Sequence, residues 1–423
     1  MKNLAILFPG QGSQYIGMGK ALFEQEQEVH TLFNTAAMIL DIDVERLCFA
    51  GTAEELNSTE NTQPLILLCS VAAWQSFQRR TGIIPAYFAG HSLGELSALT
   101  CAGALSIEDG LRLARARGLA MANAAQASET GMAAVTRISR AQLEQICQAQ
   151  SGFGRELVIA NFNSSTQHVI SGSLAQLQML EEPLRAADAD FIKLRVSGAF
   201  HSPYMETAAQ EFAELVNKVK WTAPTIPVIS NVTAKPHQLE SICKNLVRQI
   251  THPVMWQDNL QFLADEGCDV FIELGPKSVL KKLALNNLND ASAFAFDLPE
   301  DLEPAMKVLA PAIKALRERP SLSGKCLAVA VATRNTNWDN DSYQQGVIEP
   351  YQQLKRIHEE YSQQGVPLSK TLVGKIIALL RGIMICKGAS SDEQLQRIAQ
   401  IAEQTGYQQQ DLLFHYSNTE IFS

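Results

Sequence analysis

Two apolar rhythms alternate along the chain: short unbroken runs, and longer segments with helical spacing. "LAILF" (residues 4–8) is a short run stopped by Pro9-Gly10 and predicts a buried strand, with a helix from about Gly17. "QPLILLCSVAAWQSFQRR" (63–80) is apolar around most of its circumference, the mark of a mostly buried helix. "AYFAG" (86–90) predicts a strand, and "GELSALTCAGAL" (94–105) a helix ending near Gly103. "SIED", beginning at Ser106, opens a further helix through about Ala125 with a capping-box-like start.

From Met132 the order becomes βαββαβ. "MAAVTRI" predicts a strand, "SRAQLEQICQAQ" a helix, "ELVIANF" and "HVISG" two strands, "LAQLQMLEEPLRAA" a helix and "FIKLRV" a strand. This is the ferredoxin-like pattern, expected over residues 131–197 as an insert between α/β stretches at 1–130 and 198–318. "IPVIS" (226–230) and "DVFIEL" (269–274) add two strands; the second runs through Gly275-Pro276 into the helix "KSVLKKLAL". Alternating strands and helices predict a parallel sheet covered on both faces. The expected class is therefore α/β, with a hydrolase-like parallel-sheet large subdomain and an inserted ferredoxin-like small subdomain. A helix over about 301–317 leads to "RPSLSG" (319–324), which reads as a linker. Residues 319–423 then form a mostly helical C-terminal appendage: the strand-like "CLAVAVA" (326–332), four helices, and thirteen glutamines between 344 and 410. "LVGKIIALLRGIMI" (372–385) contains Lys375 and Arg381 and is too short to span a bilayer, so it predicts a core helix.

Composition narrows the function. The 423 residues suffice for two or three domains, and 46% hydrophobic with 19% charged residues is ordinary for a globular core. A net charge of −9 argues against nucleic acid as the main partner. Eight cysteines without a C-x-x-C pair suit free thiols in a reducing compartment better than disulfides or zinc. "MKNLAILFPGQGSQ" is neither a spanning helix nor a secretory leader, so a cytoplasmic protein without a membrane partner is expected.

"GHSLG" (90–94) is a G-x-S-x-G pattern between a strand and a helix. Flanking glycines permit a sharp turn that exposes Ser92, and the next N–H, at a helix N-terminus, can receive an oxyanion. A tight turn holding a small polar residue would show the same letters. A serine hydroxyl needs a base. His91 is adjacent and suits packing or orienting. His30, His168, His237, His252, His358 and His415 read as surface or structural. His201 stands in "VSGAFHSPYM", a loop after a strand, where a base is commonly placed. The glycine-rich turn "FPGQGSQ" (8–14) follows the first strand and shares its crevice, so the Gln11 backbone could supply a second oxyanion donor. Arg117 lies on an apolar helix stripe with Leu113 and Met121, where it needs an anionic partner. Either an internal carboxylate or a substrate carboxylate gripped by the guanidinium fork would serve.

Together "FPGQGSQYIGMG", "QPLILLCSVA", "GHSLGELSAL", "ARARGLAM", "GMAAV", "IANFNSSTQHVISG", "GAFHSPYM", "IPVISNVTAKP" and "FIELGPKSVL" resemble malonyl-CoA:acyl carrier protein transacylases, discrete trans-acting enzymes of polyketide synthases and their fatty-acid-synthesis relatives. The resemblance covers about the first three quarters of the chain, and the tail from about Ser321 lies outside it. It implies that Ser92 is acylated, that His201 is its base, and that the backbone carbonyl of Gln249 orients the histidine, so the Gln249 side chain counts for less. It further implies oxyanion donors at Gln11 and Leu93, a carboxylate clamp at Arg117, and a malonyl-selecting ring at Phe200. His91 is grouped with the substrate site. Asn161 and Asn163, in the "N-x-N" turn, would line the thioester channel, with turn capping as the alternative. Malonyl-CoA and the phosphopantetheine arm of an acyl carrier protein are the implied partners, and neither a metal nor a cofactor is called for. Carrier proteins are typically acidic, so Arg79, Arg80, Lys277, Lys281 and Lys282 are candidates for a basic docking face. An acyl hydrolase of the same fold is the nearest alternative. The appendage is expected to dock a partner or the catalytic domain.

Overall fold

The fold comes from a computed structural model that describes residues 3–150, 154–194, 196, 198–361 and 368–417. Its strands are β1 (Asn3–Phe8), β2 (Tyr87–Gly90), β3 (Thr130–Thr136), β4 (Leu157–Ser164), β5 (Gln167–Ser173), β6 (Asp190–Lys193), β7 (Val228–Ile229), β8 (Cys268–Glu273) and β9 (Ser292–Ala295). By internal contacts the chain divides into a larger unit, residues 1–80 and 84–308, and a smaller one, residues 81–83 and 309–423.

In the larger unit, five strands form a parallel sheet in the order β7-β2-β1-β8-β9. β1 and β8 are buried on both faces, which explains their unbroken apolar runs. One face packs Ala5, Leu7, Ala89 and Phe271 against Trp256, Leu260 and Leu280. On the helix Thr59–Thr81, Trp74 stands edge-on to Phe88 with ring centroids 4.9 Å apart. The remaining four strands form an antiparallel sheet, β4-β5-β3-β6, the ferredoxin-like order. It is stitched to the large subdomain: Phe162 N–H donates to Val254 O (3.0 Å) and Val254 N–H to Ala160 O (2.9 Å). That seam fixes where β4 presents its side chains.

Several expectations change in detail. "IPVIS" contributes a two-residue strand, and "SAFA" (β9) is a sheet-edge strand that the pattern left unassigned. The helix expected over 174–187 is two short helices, Leu174–Met179 and Glu181–Ala186. Pro183 falls in the first turn of the second, where a missing N–H costs nothing. "FIKLRV" is strand only to Lys193, and its Arg195 lies outside the described residues. Asn161 and Asn163 lie within β4 rather than in a turn, which removes turn capping as their role.

The smaller unit is helical. The helix Pro299–Arg317 runs through the boundary at residues 308/309. "CLAVAVA" is not a strand; it belongs to the helix Leu322–Ala332. Ser321 caps that helix by accepting the Gly324 N–H, and Leu322, Cys326 and Ala330 recur at i, i+4 and i+8 on its buried side. The alternating Ala-Val letters suggested a period of two that the cap and the core overrule. The helix Lys370–Cys386 supplies the centre of this unit's core through Ile376, Ile377, Leu380 and Ile383. No described helix is long and apolar enough to cross a membrane.

Candidate active site

Close backbone approach builds the bend at Ser92. β2 ends at Gly90 and the helix Leu93–Cys101 begins three residues later. A Cβ on Gly90 would overlap the Gly94 backbone, and one on Gly94 would overlap the Phe8 carbonyl at the end of β1. Between them Ser92 adopts φ 53° and ψ −108°, a strained conformation for a residue with a side chain. His201, in the loop after β6, also has positive φ, 56°.

These two strained residues meet. Ser92 Oγ lies 2.8 Å from His201 Nε2, and His201 Nδ1 lies 2.7 Å from the main-chain oxygen of Gln249. A carbonyl can only accept, so Nδ1 carries the proton and Nε2 is left to accept from Ser92. Burial, aided by the nearby Arg117 charge, pushes the His201 pKa down to about 3. At neutral pH the imidazole is therefore the free base.

Arg117 completes the inner constellation from the helix Ile107–Gln126. Its Nη2 donates to Ser92 Oγ (3.1 Å) and to Gln249 Oε1 (2.8 Å), and its Nη1 to Gln63 Oε1 (2.8 Å). Burial lowers its pKa to about 10, while the charge of Glu95 acts in the opposite direction. Among the described residues no carboxylate lies within ion-pair distance of it, so its protein partners are neutral oxygens. The internal salt bridge, one of two readings the sequence left open, is not formed.

Beneath Ser92 lies a buried polar layer. Asn231 Oδ1 accepts the Ser92 N–H (2.7 Å) and Asn231 Nδ2 donates to Gly90 O (2.7 Å). Gln249 Nε2 donates to Ser92 O (2.9 Å) and to Glu95 Oε2 (2.7 Å). Glu95 Oε2 also accepts the Asn231 N–H (2.9 Å), and Glu95 Oε1 accepts from His237 Nε2 (2.6 Å). The Gln249 side chain, expected to matter less than its carbonyl, thus ties Arg117 to Ser92. Sequence reasoning missed Gln63, Glu95 and Asn231. Glu95 carried a signal: it is the one charged residue of an almost wholly buried helix.

A cavity of about 250 Å³ opens over Ser92, lined by Gln11, Arg117, His201, Phe200, Asn161 and Asn163 among others. Because Asn231 occupies the Ser92 N–H, the next amide, at Leu93, is the first in the helix without an intrahelical partner. His91 turns away from Ser92: its Nε2 donates to Asn163 Oδ1 (2.9 Å) and its ring lies 5.4 Å from that of Trp256. Phe200 is held by its carbonyl, which accepts from Ser171 Oγ (2.6 Å). An outer groove of about 650 Å³ shares Asn163, Val279 and Leu283 with the cavity. Among the described residues no cluster could hold a metal ion.

Residues 6–306 match the family model for the acyl transferase domain. A malonyl CoA-acyl carrier protein transacylase of Bacillus subtilis is 34% identical over 397 residues, covering 94% of this chain and 99% of that protein. The transacylase of Bacillus subtilis strain 168 is 39% identical over 311 residues, 73% of this chain and 98% of that protein. The chain belongs to the malonyl-CoA:acyl carrier protein transacylase branch of the acyl transferase family. A solved type II polyketide synthase acyl-carrier protein in complex with its malonyl-transacylase is similar at 34% identity and TM-score 0.69, over 72% of this chain and 99% of that one. The 397-residue match runs well past Ser321, so the tail expected to lie outside the family pattern is shared with at least one relative.

Within this family frame the five candidate docking cations separate. Arg79 and Arg80 are both engaged by Glu26, and Lys281 Nζ lies 2.6 Å from Asp301 Oδ2. Lys277 and Lys282 line the outer groove instead.

Proposed function

We propose that this acyl transferase moves a malonyl group from malonyl-CoA, through an ester on Ser92, to the phosphopantetheine thiol of an acyl carrier protein. The observation that carries the reading is the placement of Arg117. In a malonyl thioester one methylene separates the reacting carbonyl from the carboxylate, so a receiving cation must stand within a few ångströms of the nucleophile. Arg117 Nη2 is 3.1 Å from Ser92 Oγ, and among the described residues no carboxylate is in ion-pair contact with it.

In the first half-reaction Ser92 Oγ attacks the thioester carbonyl while His201 Nε2 takes its proton. The backbone N–H groups of Leu93 and Gln11 would hold the resulting oxyanion. Collapse breaks the C–S bond, and the proton on His201 passes to the departing coenzyme A thiolate. In the second half-reaction His201 takes the proton of the carrier thiol, the sulfur attacks the ester, and Ser92 leaves with that proton. Gln249 O holds the imidazolium in register throughout. Phe200 narrows the space beside the malonyl methylene, and Asn161 and Asn163 line the channel toward the outer groove. No metal or cofactor enters this route. Delivery in trans, for polyketide or fatty acid synthesis, agrees with the separate carrier in the similar solved complex. Action in the cytoplasm agrees with eight free cysteines.

Intact-mass measurement after mixing with malonyl-CoA tests the reading. A malonyl adduct that is absent in Ser92→Ala and discharged by holo carrier protein is the expected result. An adduct that decays equally fast without carrier identifies the hydrolase alternative.

A further inference from the structure

The buried pair formed by Glu95 and His237 is not used by the chemistry above. Both side chains are fully buried, and His237 Nε2 approaches Glu95 Oε1 at 2.6 Å. His237 arrives from the loop after β7, 142 positions away in sequence, and its N–H donates to Val228 O. Its Nδ1 faces the Asn245 amide at 3.5 Å, so Nε2 is the nitrogen that donates to Glu95. Asn245 and Gln249 stand four residues apart on the helix Ile242–Thr251, one turn behind the other.

Glu95 therefore receives three donors: His237 on Oε1, and the Asn231 N–H and the Gln249 amide on Oε2. A carboxylate buried in this way is tolerable only when its oxygens are satisfied. The Gln249 bond has a directional consequence. An amide has one donating end and one accepting end. With its NH₂ drawn to Glu95 Oε2 (2.7 Å), and also to Ser92 O (2.9 Å) and Asn231 Oδ1 (3.2 Å), Gln249 turns its oxygen toward Arg117, and Oε1 does accept from Arg117 Nη2 at 2.8 Å. Without a carboxylate at Glu95 the amide would lose the shortest of the three acceptor contacts that hold it in this direction, and with it part of its hold on the guanidinium. The negative charge of Glu95 also acts on Arg117 directly.

We infer that Glu95, braced by His237, is a positioning residue that anchors the Gln249 amide by its shortest contact and thereby holds Arg117 in place for the substrate carboxylate. This rests on the malonyl-transfer reading. It adds two residues that touch neither substrate nor the reacting atoms, and it assigns them to carboxylate selection rather than to Ser92 activation.

The test separates those two functions. Glu95→Gln, His237→Leu and His237→Gln are assayed for acylation by malonyl-CoA, giving kcat and KM, and for inactivation by phenylmethanesulfonyl fluoride. That uncharged reagent reports the Ser92–His201 pair without needing Arg117. For Glu95→Gln and His237→Leu, malonyl-CoA kcat/KM is expected to fall about tenfold or more, chiefly through KM, as for a lost hydrogen bond to a charged group. Sulfonylation should stay within about threefold of wild type, on the scale of ordinary mutational background. His237→Gln, whose amide can still donate to Glu95, should recover most of the His237→Leu loss. Equal falls in both assays, or no fall in either, overturn the inference. If Glu95→Gln does not fold, the His237 pair of variants decides alone. Failure of the wild-type chain to take up malonyl defeats the proposed function instead, so the two failures are distinct.

Discussion

Arg117 Nη2 and Ser92 Oγ are 3.1 Å apart, and among the described residues the guanidinium is hydrogen-bonded by neutral oxygens alone. A buried cation with no carboxylate in ion-pair contact among the described residues is an unusual arrangement for a protein to maintain. It makes sense if the missing anion arrives with the substrate. Arg117→Ala should therefore lower malonyl-CoA kcat/KM by about 30-fold or more, the scale of a truncated buried charge pair. Acetyl-CoA, which lacks the carboxylate, should lose much less. Steady-state kinetics with both thioesters checks this; an unchanged malonyl preference contradicts it.

The pH dependence follows from His201. Its pKa lies near 3, below the usual 6.5 of a histidine, and in the proposed route the unprotonated ring is the base. Acylation of Ser92 should thus be flat from about pH 8 down to about pH 5, where an ordinary catalytic histidine would already be titrated. Single-turnover acylation across that range is the measurement. A sigmoid centred near 6.5 would show that the imidazole is not desolvated as described. For stability the sign is the opposite of that for a histidine with a raised pKa. Between about pH 3 and 6.5 the unfolded chain binds the proton and the folded one does not, so stability falls with acidification in that window.

The elbow tolerates no side chain at its glycines. A Cβ on Gly94 would press into the Phe8 carbonyl, which belongs to a central strand. Gly94→Ala should cost about 3 kcal/mol, as overpacking against rigid backbone does. Thermal denaturation should show the midpoint lowered by about 5 °C or more. An unchanged midpoint would mean that β1 and the elbow are not in contact.

Much of this was legible in the chain. "GHSLG" between a strand and a helix, and a loop histidine after a later strand, are local patterns, and Ser92 and His201 do meet. The βαββαβ order likewise follows from successive short runs. What escaped has a common cause. Glu95 and His237, or Gln63 and Arg117, are pairs made across long sequence separations, and no local rhythm reports them. The Gln249 side chain was underrated because a main-chain role for that residue looked sufficient. In the tail, "CLAVAVA" alternates like a strand, yet the Ser321 cap and the i, i+4, i+8 placement of Leu322, Cys326 and Ala330 make it a helix.

Docking of the carrier at the outer groove, as proposed from its cations, is testable by charge reversal. Of the five cations considered, Lys277 and Lys282 line it, and Lys277 Nζ also donates to Gly12 O at 3.1 Å. Lys282→Glu should raise the KM for an acidic carrier about three- to tenfold at low salt, with the difference shrinking as salt is added, as expected for a steering charge. An effect that does not respond to salt would point away from charge complementarity.

The most direct test is to find the ester itself. The chain is incubated briefly with labelled malonyl-CoA, quenched in acid, digested, and mapped by mass spectrometry. Label on the peptide containing Ser92, absent in Ser92→Ala and removed by holo carrier protein, is the outcome the account predicts. Transfer of malonyl to the carrier with no label at Ser92 at any time would contradict it.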